Sequence, residues 1–273
     1  MSKLIGTFGT GHILMSRGSA GEAGERAFNG MREIGQIIAK KQPDILIIVS
    51  SDHFYNFHGN EQNTFLIGDA ISYQSFGDMD LPITQIQGSP KLAKQILEKA
   101  QSQHFPIETL DQTYKPDHGV MIPFLMTGLT NIEVIPVISN LALEKNPTMM
   151  QGWQLGKIIQ QVIQESEDDK KIIIIGTGGL SHWLGVPEMG RINSDFDMQI
   201  INKMVSGKSE ELSQLTREYV LEHGGNGGLE IVNWLVMAGS NPSALGKKIY
   251  YEATAEWLTG LGGIEIFVNQ ENA

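Results

Sequence analysis

The sequence predicts an α/β fold: one domain over residues 1–273, a central mixed sheet flanked by helices, with the functional site at the carboxyl ends of the strands. Three observations carry this. Short β-branched apolar runs alternate with segments of helical period. Glycines gather at Gly6 to Gly11, Gly176 to Gly179 and Gly224 to Gly228, where backbone must turn sharply or approach something closely. No internal repeat, low-complexity linker or composition shift marks a second domain.

Taken in order, the first strand is expected at Leu4 to Thr10 and a helix at Glu22 to Lys41. Strands follow at Ile45 to Ser50 and Thr64 to Ile67. Pro90 to Gln101 reads as a helix because Ser89 stands at its cap and Pro90 at its first position. The run Glu133 to Ser139 is the next strand, Pro147 to Ser166 a helix, and the charged stretch Glu165 to Lys171 a solvated turn into the strand Lys171 to Ile175. Ser194 is expected to cap a helix at Asp195 to Val205, with Asp195 and Asp197 at the positive end of its dipole. Helices at Glu210 to Glu222 and Leu229 to Ala238, then strands at Lys247 to Glu252 and Ile264 to Val268, complete the pattern.

Composition narrows the chemistry. The chain carries 20 Lys and Arg against 31 Asp and Glu, a net charge of −11, and no cysteine. Thiolate zinc sites, iron–sulfur clusters and cysteine nucleophiles are therefore excluded, and any metal must use His, Asp or Glu. An acidic chain without clustered Lys and Arg has no footprint for nucleic acid. There is no signal-peptide core and no apolar stretch near the roughly 18 residues of a membrane span, so a cytoplasmic protein without membrane contact is expected.

The seven histidines are the most informative residues. His12, His53 and His182 each come just past a predicted strand, at the sheet edge where ligands bind in open α/β folds. His118 lies in Tyr114-Lys-Pro-Asp-His-Gly119, a loop that opens into the apolar segment Val120 to Met126 and can reach the same edge. Each alone reads as an ordinary hydrogen-bonded histidine; their joint placement points to a shared site. His58 and His104 read as surface residues, and His223 as either a helix end or part of the rim.

Glu230 opens the apolar helix Leu229 to Ala238. An acid there commonly complements the helix dipole, but a buried charge demands a partner, and a metal is one. Two neutral imidazoles and a carboxylate form the facial triad of non-haem Fe(II) oxygenases and equally a catalytic zinc set, a choice the residues alone leave open. Gly176-Thr-Gly-Gly-Leu-Ser181 departs from a dinucleotide loop at Ser181, and no Gly-x-Ser-x-Gly elbow supports a serine hydrolase.

Six motifs, in order along nearly the whole chain, carry a family resemblance. They are Gly11-His12; Ser51-Asp-His-Phe-Tyr-Asn-Phe57 with Asn63-Thr-Phe-Leu-Ile-Gly68; Asp117-His-Gly-Val-Met-Ile-Pro123; Gly176-Thr-Gly-Gly-Leu-Ser-His182; Gly190-Arg-Ile-Asn-Ser-Asp-Phe-Asp197; and Gly228-Leu-Glu-Ile-Val-Asn-Trp234. With these the chain resembles the class III extradiol ring-cleaving dioxygenases, the family of the catalytic β subunit of protocatechuate 4,5-dioxygenase. The resemblance implies His12, His53 and Glu230 as Fe(II) ligands, His182 as the acid–base residue and His118 as a hydrogen-bond donor beside substrate or oxygen. It implies ring cleavage by O₂ of a catechol-like substrate of the protocatechuate or gallate type, or of a 2-aminophenol, to a muconic-semialdehyde-type product.

The segment Ile13-Leu-Met-Ser-Arg-Gly18 differs from the protocatechuate enzyme, and no part of the chain corresponds to that enzyme's small α subunit. A homo-oligomer is expected, with a small accessory subunit as an open alternative. Arg17, Tyr251 and Thr254 are the candidate substrate-binding residues, Arg17 as an anchor for a carboxylate; Lys115 is equally readable as a solvated cation. A zinc-dependent hydrolase with the same ligands and a non-catalytic binding protein of the same fold stand as alternatives.

Overall fold

The computed structural model describes residues 1–13, 19–56, 64–141 and 147–268. Along the chain run β1 (Lys3–Thr10), α1 (Gly21–Lys41), β2 (Ile45–Ser51), β3 (Phe65–Ile67), β4 (Ser72–Gln74), β5 (Gln85–Gly88), α2 (Pro90–Ser102), β6 (Ile107–Thr109), α3 (His118–Met126), β7 (Glu133–Ser139), α4 (Met149–Glu165) and β8 (Lys171–Thr177). Then come α5 (Ser194–Val205), α6 (Ser209–Leu212), α7 (Arg217–Gly224), a 3₁₀ turn (Gly227–Glu230), α8 (Ile231–Gly239), β9 (Gly246–Thr254), a second 3₁₀ turn (Ala255–Trp257) and β10 (Thr259–Ile266).

One mixed sheet joins the strands in the order β4-β5-β7-β2-β8-β1-β10-β9, with β3 bridging β7 and β6. The central strands β7, β2, β8 and β1 are parallel, and β10 and β9 extend them antiparallel. Because side chains alternate across a strand, the apolar runs of the centre split between two cores. Ile45, Ile47, Val49, Ile172 and Ile174 face a layer that includes α2, α4, α5 and α8. Leu46, Ile48, Ile173 and Ile175 face α1 and α3. The parallel strands all deliver their carboxyl ends to one edge, where the loops bearing His12, His53 and the segment after β8 begin.

Helix α8 is buried along its whole length and backs that edge. It lies against α4 at backbone contact: a Cβ on Gly156 would stand 2.2 Å from the Val236 carbonyl oxygen, and one on Gly239 2.3 Å from that of Trp153. A helix apolar on every side suits this position between sheet and helix layer.

Several local expectations are corrected. Asn193, not Ser194, caps α5, its side chain accepting from the Phe196 N–H. Ser89 precedes Pro90 at the start of α2 but makes no side-chain cap. The helix expected at Glu210 to Glu222 is two pieces, because the Thr216 hydroxyl caps a new start by accepting from the Tyr219 N–H. The segment Val120 to Met126 is helical from His118, with Asp117 as its cap. Strands β4, β5 and β6, only three or four residues each, carried too little pattern to be read. Among the described residues no helix is long and apolar enough to cross a membrane.

Candidate active site

The site begins with a proline. Pro123 in α3 has no N–H to give the Gly119 carbonyl one turn back, and that carbonyl instead accepts the Thr177 hydroxyl at 3.0 Å. With its proton committed there, the Thr177 oxygen can only accept from His12, whose Nδ1 lies 3.1 Å away. His12 therefore holds its proton on Nδ1 and turns the Nε2 lone pair inward. Burial lowers its pKa, which keeps the ring neutral, the form that ligates metals.

His53 is oriented the same way by a carboxylate. Its Nδ1–H donates to Asp117 Oδ2 at 2.9 Å, while the other Asp117 oxygen accepts from the Gly119 N–H at the start of α3. Nε2 again points inward. Burial works against protonation of His53, but Asp117 and Glu230 outweigh it and push the pKa up to about 10. A proton and a metal therefore compete for this nitrogen. His118 lies beside His53, ring centroids 3.9 Å apart and tilted by 35°, with its own Nδ1 bonded to Asp78 Oδ2.

Glu230 is where these rings converge. Its Oε1 lies 3.4 Å from His12 Nε2 and 3.5 Å from His53 Nε2, and its Oε2 lies 3.9 Å from His182 Nε2. The Ser51 hydroxyl donates to Oε1 at 2.6 Å and the Gly179 N–H to Oε2 at 2.8 Å. Burial would raise the Glu230 carboxyl; the imidazoles of His12, His53 and His182 outweigh it and hold it well below the usual carboxylate range. The glycine loop after β8 serves this carboxylate, since a Cβ on Gly178 would stand 2.6 Å from the Glu230 Cβ.

His182 is fixed on both faces. Its Nδ1–H donates to the Leu180 carbonyl at 3.0 Å, leaving Nε2 as the acceptor. A Cβ on Gly227 would stand 2.0 Å from Nε2, and one on Gly179 2.8 Å from Cε1, so the ring lies between two glycines. These are members of the two later glycine clusters.

The arrangement fits a divalent metal. Lone pairs on His12 and His53, each with its other nitrogen committed, face a buried anionic oxygen, and acceptors do not face acceptors without a cation or proton between them. Nitrogen and oxygen donors of this kind suit first-row divalent metals. His12, His53 and His118 also form a group whose ligating atoms all lie within 4.8 Å of one another, and this group could hold a metal ion. His53, with 24% of its side chain accessible, is the most open of the three rings around Glu230.

Residues 10–262 match the family described as the catalytic LigB subunit of aromatic ring-opening dioxygenase. The chain belongs to this LigB family. Its members are metal-dependent dioxygenases, so this protein is a ring-cleaving oxidoreductase. A 2,3-dihydroxyphenylpropionate/2,3-dihydroxicinnamic acid 1,2-dioxygenase of Photorhabdus laumondii is 24% identical, covering 91% of this chain and 92% of that protein. A gallate dioxygenase of Pseudomonas putida is 26% identical over 59% of this chain, a match spanning only 47% of its own length. Among solved structures, the uncharacterized protein JW3007 of Escherichia coli K12 shares the fold, with a TM-score of 0.64 at 14% identity over 96% of this chain and 99% of that one.

The remaining sequence-derived candidates of this LigB-family protein fall elsewhere. Arg17 and His58 lie outside the described residues. Thr254 is fully buried and donates to the Thr259 carbonyl inside the β9–β10 hairpin. Tyr251 donates to Asp197 Oδ2 at 2.8 Å. His223 packs against Tyr219 on α7, ring centroids 4.3 Å apart, outside the metal-facing group. Ser51, Asp117, Thr177 and Gly179 were not singled out for these roles. Asp117 carries a signal as the acid immediately before His118, and Gly179 one as a member of a glycine cluster.

Asp197, expected at a helix start for its charge, is wholly buried. Burial pushes its carboxyl up to about 6 against the donors that surround it. The folded-state value lies above the ordinary one, so its contribution to stability is complete below the unfolded value and is lost as pH rises through about 6. Asp197→Asn, which cannot ionise, is therefore expected to gain on the wild type between about pH 4 and about pH 7.5, by up to about 3 kcal/mol in unfolding free energy. Thermal melts at both pH values read this; a difference independent of pH would show that the carboxyl titrates normally.

Proposed function

We propose that this protein is an Fe(II)-dependent extradiol dioxygenase that opens the ring of an ortho-diphenol or a 2-aminophenol. The observation that carries the reading is the convergence of the His12, His53 and His182 Nε2 atoms on one buried carboxylate, each ring fixed through its Nδ1. His12, His53 and Glu230 would hold the metal. When bound, Fe(II) brings ring oxygens and dioxygen together and passes electrons from one to the other.

The chain's own residues do the rest. His182 Nε2, the free acceptor, takes the second hydroxyl proton of the diphenol and returns it as the ring opens, a double role suited to a histidine working near neutral pH. His118, held at Nδ1 by Asp78, presents Nε2 beside His53 and hydrogen-bonds substrate or oxygen there. The named substrates of the relatives support a dihydroxyphenyl or trihydroxyphenyl ring bearing an acidic side chain, with Arg17 as the proposed anchor. The same reading places the protein in the cytoplasm as a one-domain homo-oligomer, with an accessory subunit as the other composition.

Oxygen uptake by anaerobically purified, Fe(II)-loaded protein tests this against catechols, gallate, dihydroxyphenylpropionate and 2-aminophenols. One O₂ consumed per ring with a yellow ring-opened product is expected. An iron-replete protein that consumes none across the panel, or one that holds stoichiometric zinc tightly, overturns the reading.

A further inference from the structure

The peptide between Leu180 and Ser181 is bonded at both ends. Its carbonyl accepts His182 Nδ1–H at 3.0 Å, and its N–H donates to Asp197 Oδ1 at 2.7 Å. A peptide is a rigid plane, so whatever holds the N–H also aims the carbonyl. The second Asp197 oxygen accepts from the Ser181 hydroxyl at 3.0 Å and from the Tyr251 hydroxyl at 2.8 Å. The Ser181 oxygen in turn accepts from the Asn193 N–H at 2.7 Å. Strand β10 leaves room for this carboxylate: a Cβ on Gly260 would stand 2.0 Å from Asp197 Oδ2.

We propose that Asp197 is a positioning residue for His182, acting through the Leu180–Ser181 peptide as an aspartate–peptide–histidine relay, with Tyr251 as the donor that supports the carboxylate. The proposal rests on the reading of His182 as the proton-transfer residue. A negative charge on the N–H side polarises the peptide and strengthens the carbonyl as an acceptor. This fixes the proton on Nδ1 and makes Nε2 a better base. Tyr251, from β9, thereby acts behind the base instead of on the substrate.

Two further features favour a role beyond packing. Among the described residues no lysine, arginine or histidine forms an ion pair with Asp197; its partners are the Ser181 and Tyr251 donors. An uncompensated carboxylate in the interior is costly, and its pKa is pushed up to about 6. This one sits directly behind the base.

The test is Asp197→Asn in the iron-loaded enzyme, because the amide oxygen still accepts the Ser181 N–H while the charge is gone. The relay predicts a kcat loss of at least about tenfold, with KM and iron content unchanged and the acid limb of the kcat profile moved to lower pH. Nitrogen-15 histidine NMR of the metal-free protein should show His182 as the Nδ1–H tautomer, with the Nε2–H tautomer becoming populated in the variant. Should the amide substitution prevent folding, Tyr251→Phe removes one donor, raises the Asp197 pKa and moves the acid limb to higher pH.

Unchanged kcat, pH profile and His182 tautomer in Asp197→Asn would overturn the relay. Equal losses of kcat, KM and iron would do the same by showing a structural role. If the wild type opens no ring, the functional reading fails, while the NMR tautomer still decides whether Asp197 holds the His182 proton on Nδ1.

Discussion

Gly227→Ala is expected to abolish ring cleavage while leaving the protein folded and the metal bound. Gly227 has no left-handed backbone to lose, so alanine costs nothing at that level. Its Cβ would stand 2.0 Å from both Nε2 and Cδ2 of His182. No real contact is that short, and the movable partner is the imidazole. The ring must leave the slot between Gly227 and Gly179, carrying Nε2 away from its place beside Glu230 Oε2. Loss of a positioned acid–base group lowers kcat by about 10²–10⁴, and the alanine variant should fall in that range. Oxygen uptake paired with metal analysis reads both halves of the expectation. Turnover within about threefold of wild type would remove His182 from the proton-transfer role.

The second large effect is at Glu230. Glu230→Ala removes the oxygen shared by His12 and His53 and orphans the Ser51 hydroxyl and the Gly179 N–H. Metal affinity is expected to fall by more than the 10–100-fold that is typical of losing an outer-shell partner, because the proposed role of Glu230 is that of a ligand itself. Leaving two buried donors unpaired costs about 1–3 kcal/mol each, offset in part by removal of a buried charge. Glu230→Gln separates these effects: it keeps an acceptor and the shape but not the charge. Both variants should lose the rise in Tm that metal gives the wild type by binding only the folded state. Metal titrations followed by calorimetry measure this, and an undiminished affinity in Glu230→Ala would return the residue to the ordinary role of an acid at a helix start.

His12, His53 and His182 stand out in the sequence because strand ends announce themselves, and Glu230 because it opens an apolar helix after a glycine run. A run such as Ile45 to Ser50 ends where polarity returns, and His53 follows at once. The central sheet and most helices were legible for the same reason. What lay outside reach were the residues that act through a partner distant in sequence. Thr177 orients His12 only because Pro123 frees a carbonyl on a different element. Gly179 and Gly227 were visible as members of glycine clusters, but the object they approach, one imidazole, appears only when β8 and the turn before α8 meet. Asp197 was read as a helix-start charge because local pattern cannot report that a neighbouring strand will bury it. Strands β4 to β6 were unread because so few residues at a sheet margin hold no period.

The position of β1 has a consequence for synthesis. It precedes every other strand named here, yet it lies between β8 and β10, with Lys3 opposite Lys171 and Thr10 opposite Gly263. A nascent chain that has emerged as far as Glu230 already carries His12, His53, His118, His182 and Glu230 itself. It still lacks Gly260, whose carbonyl and N–H pair with Leu180 and Ser181 and so anchor the segment that ends in His182. Contacts spanning most of the sequence form slowly, because the chain entropy of closing so long a loop must be overcome before any pairing compensates it. The side chains that converge on Glu230 can therefore gather before the segment bearing His182 is held, and the alignment of that imidazole arrives only with the final hairpin.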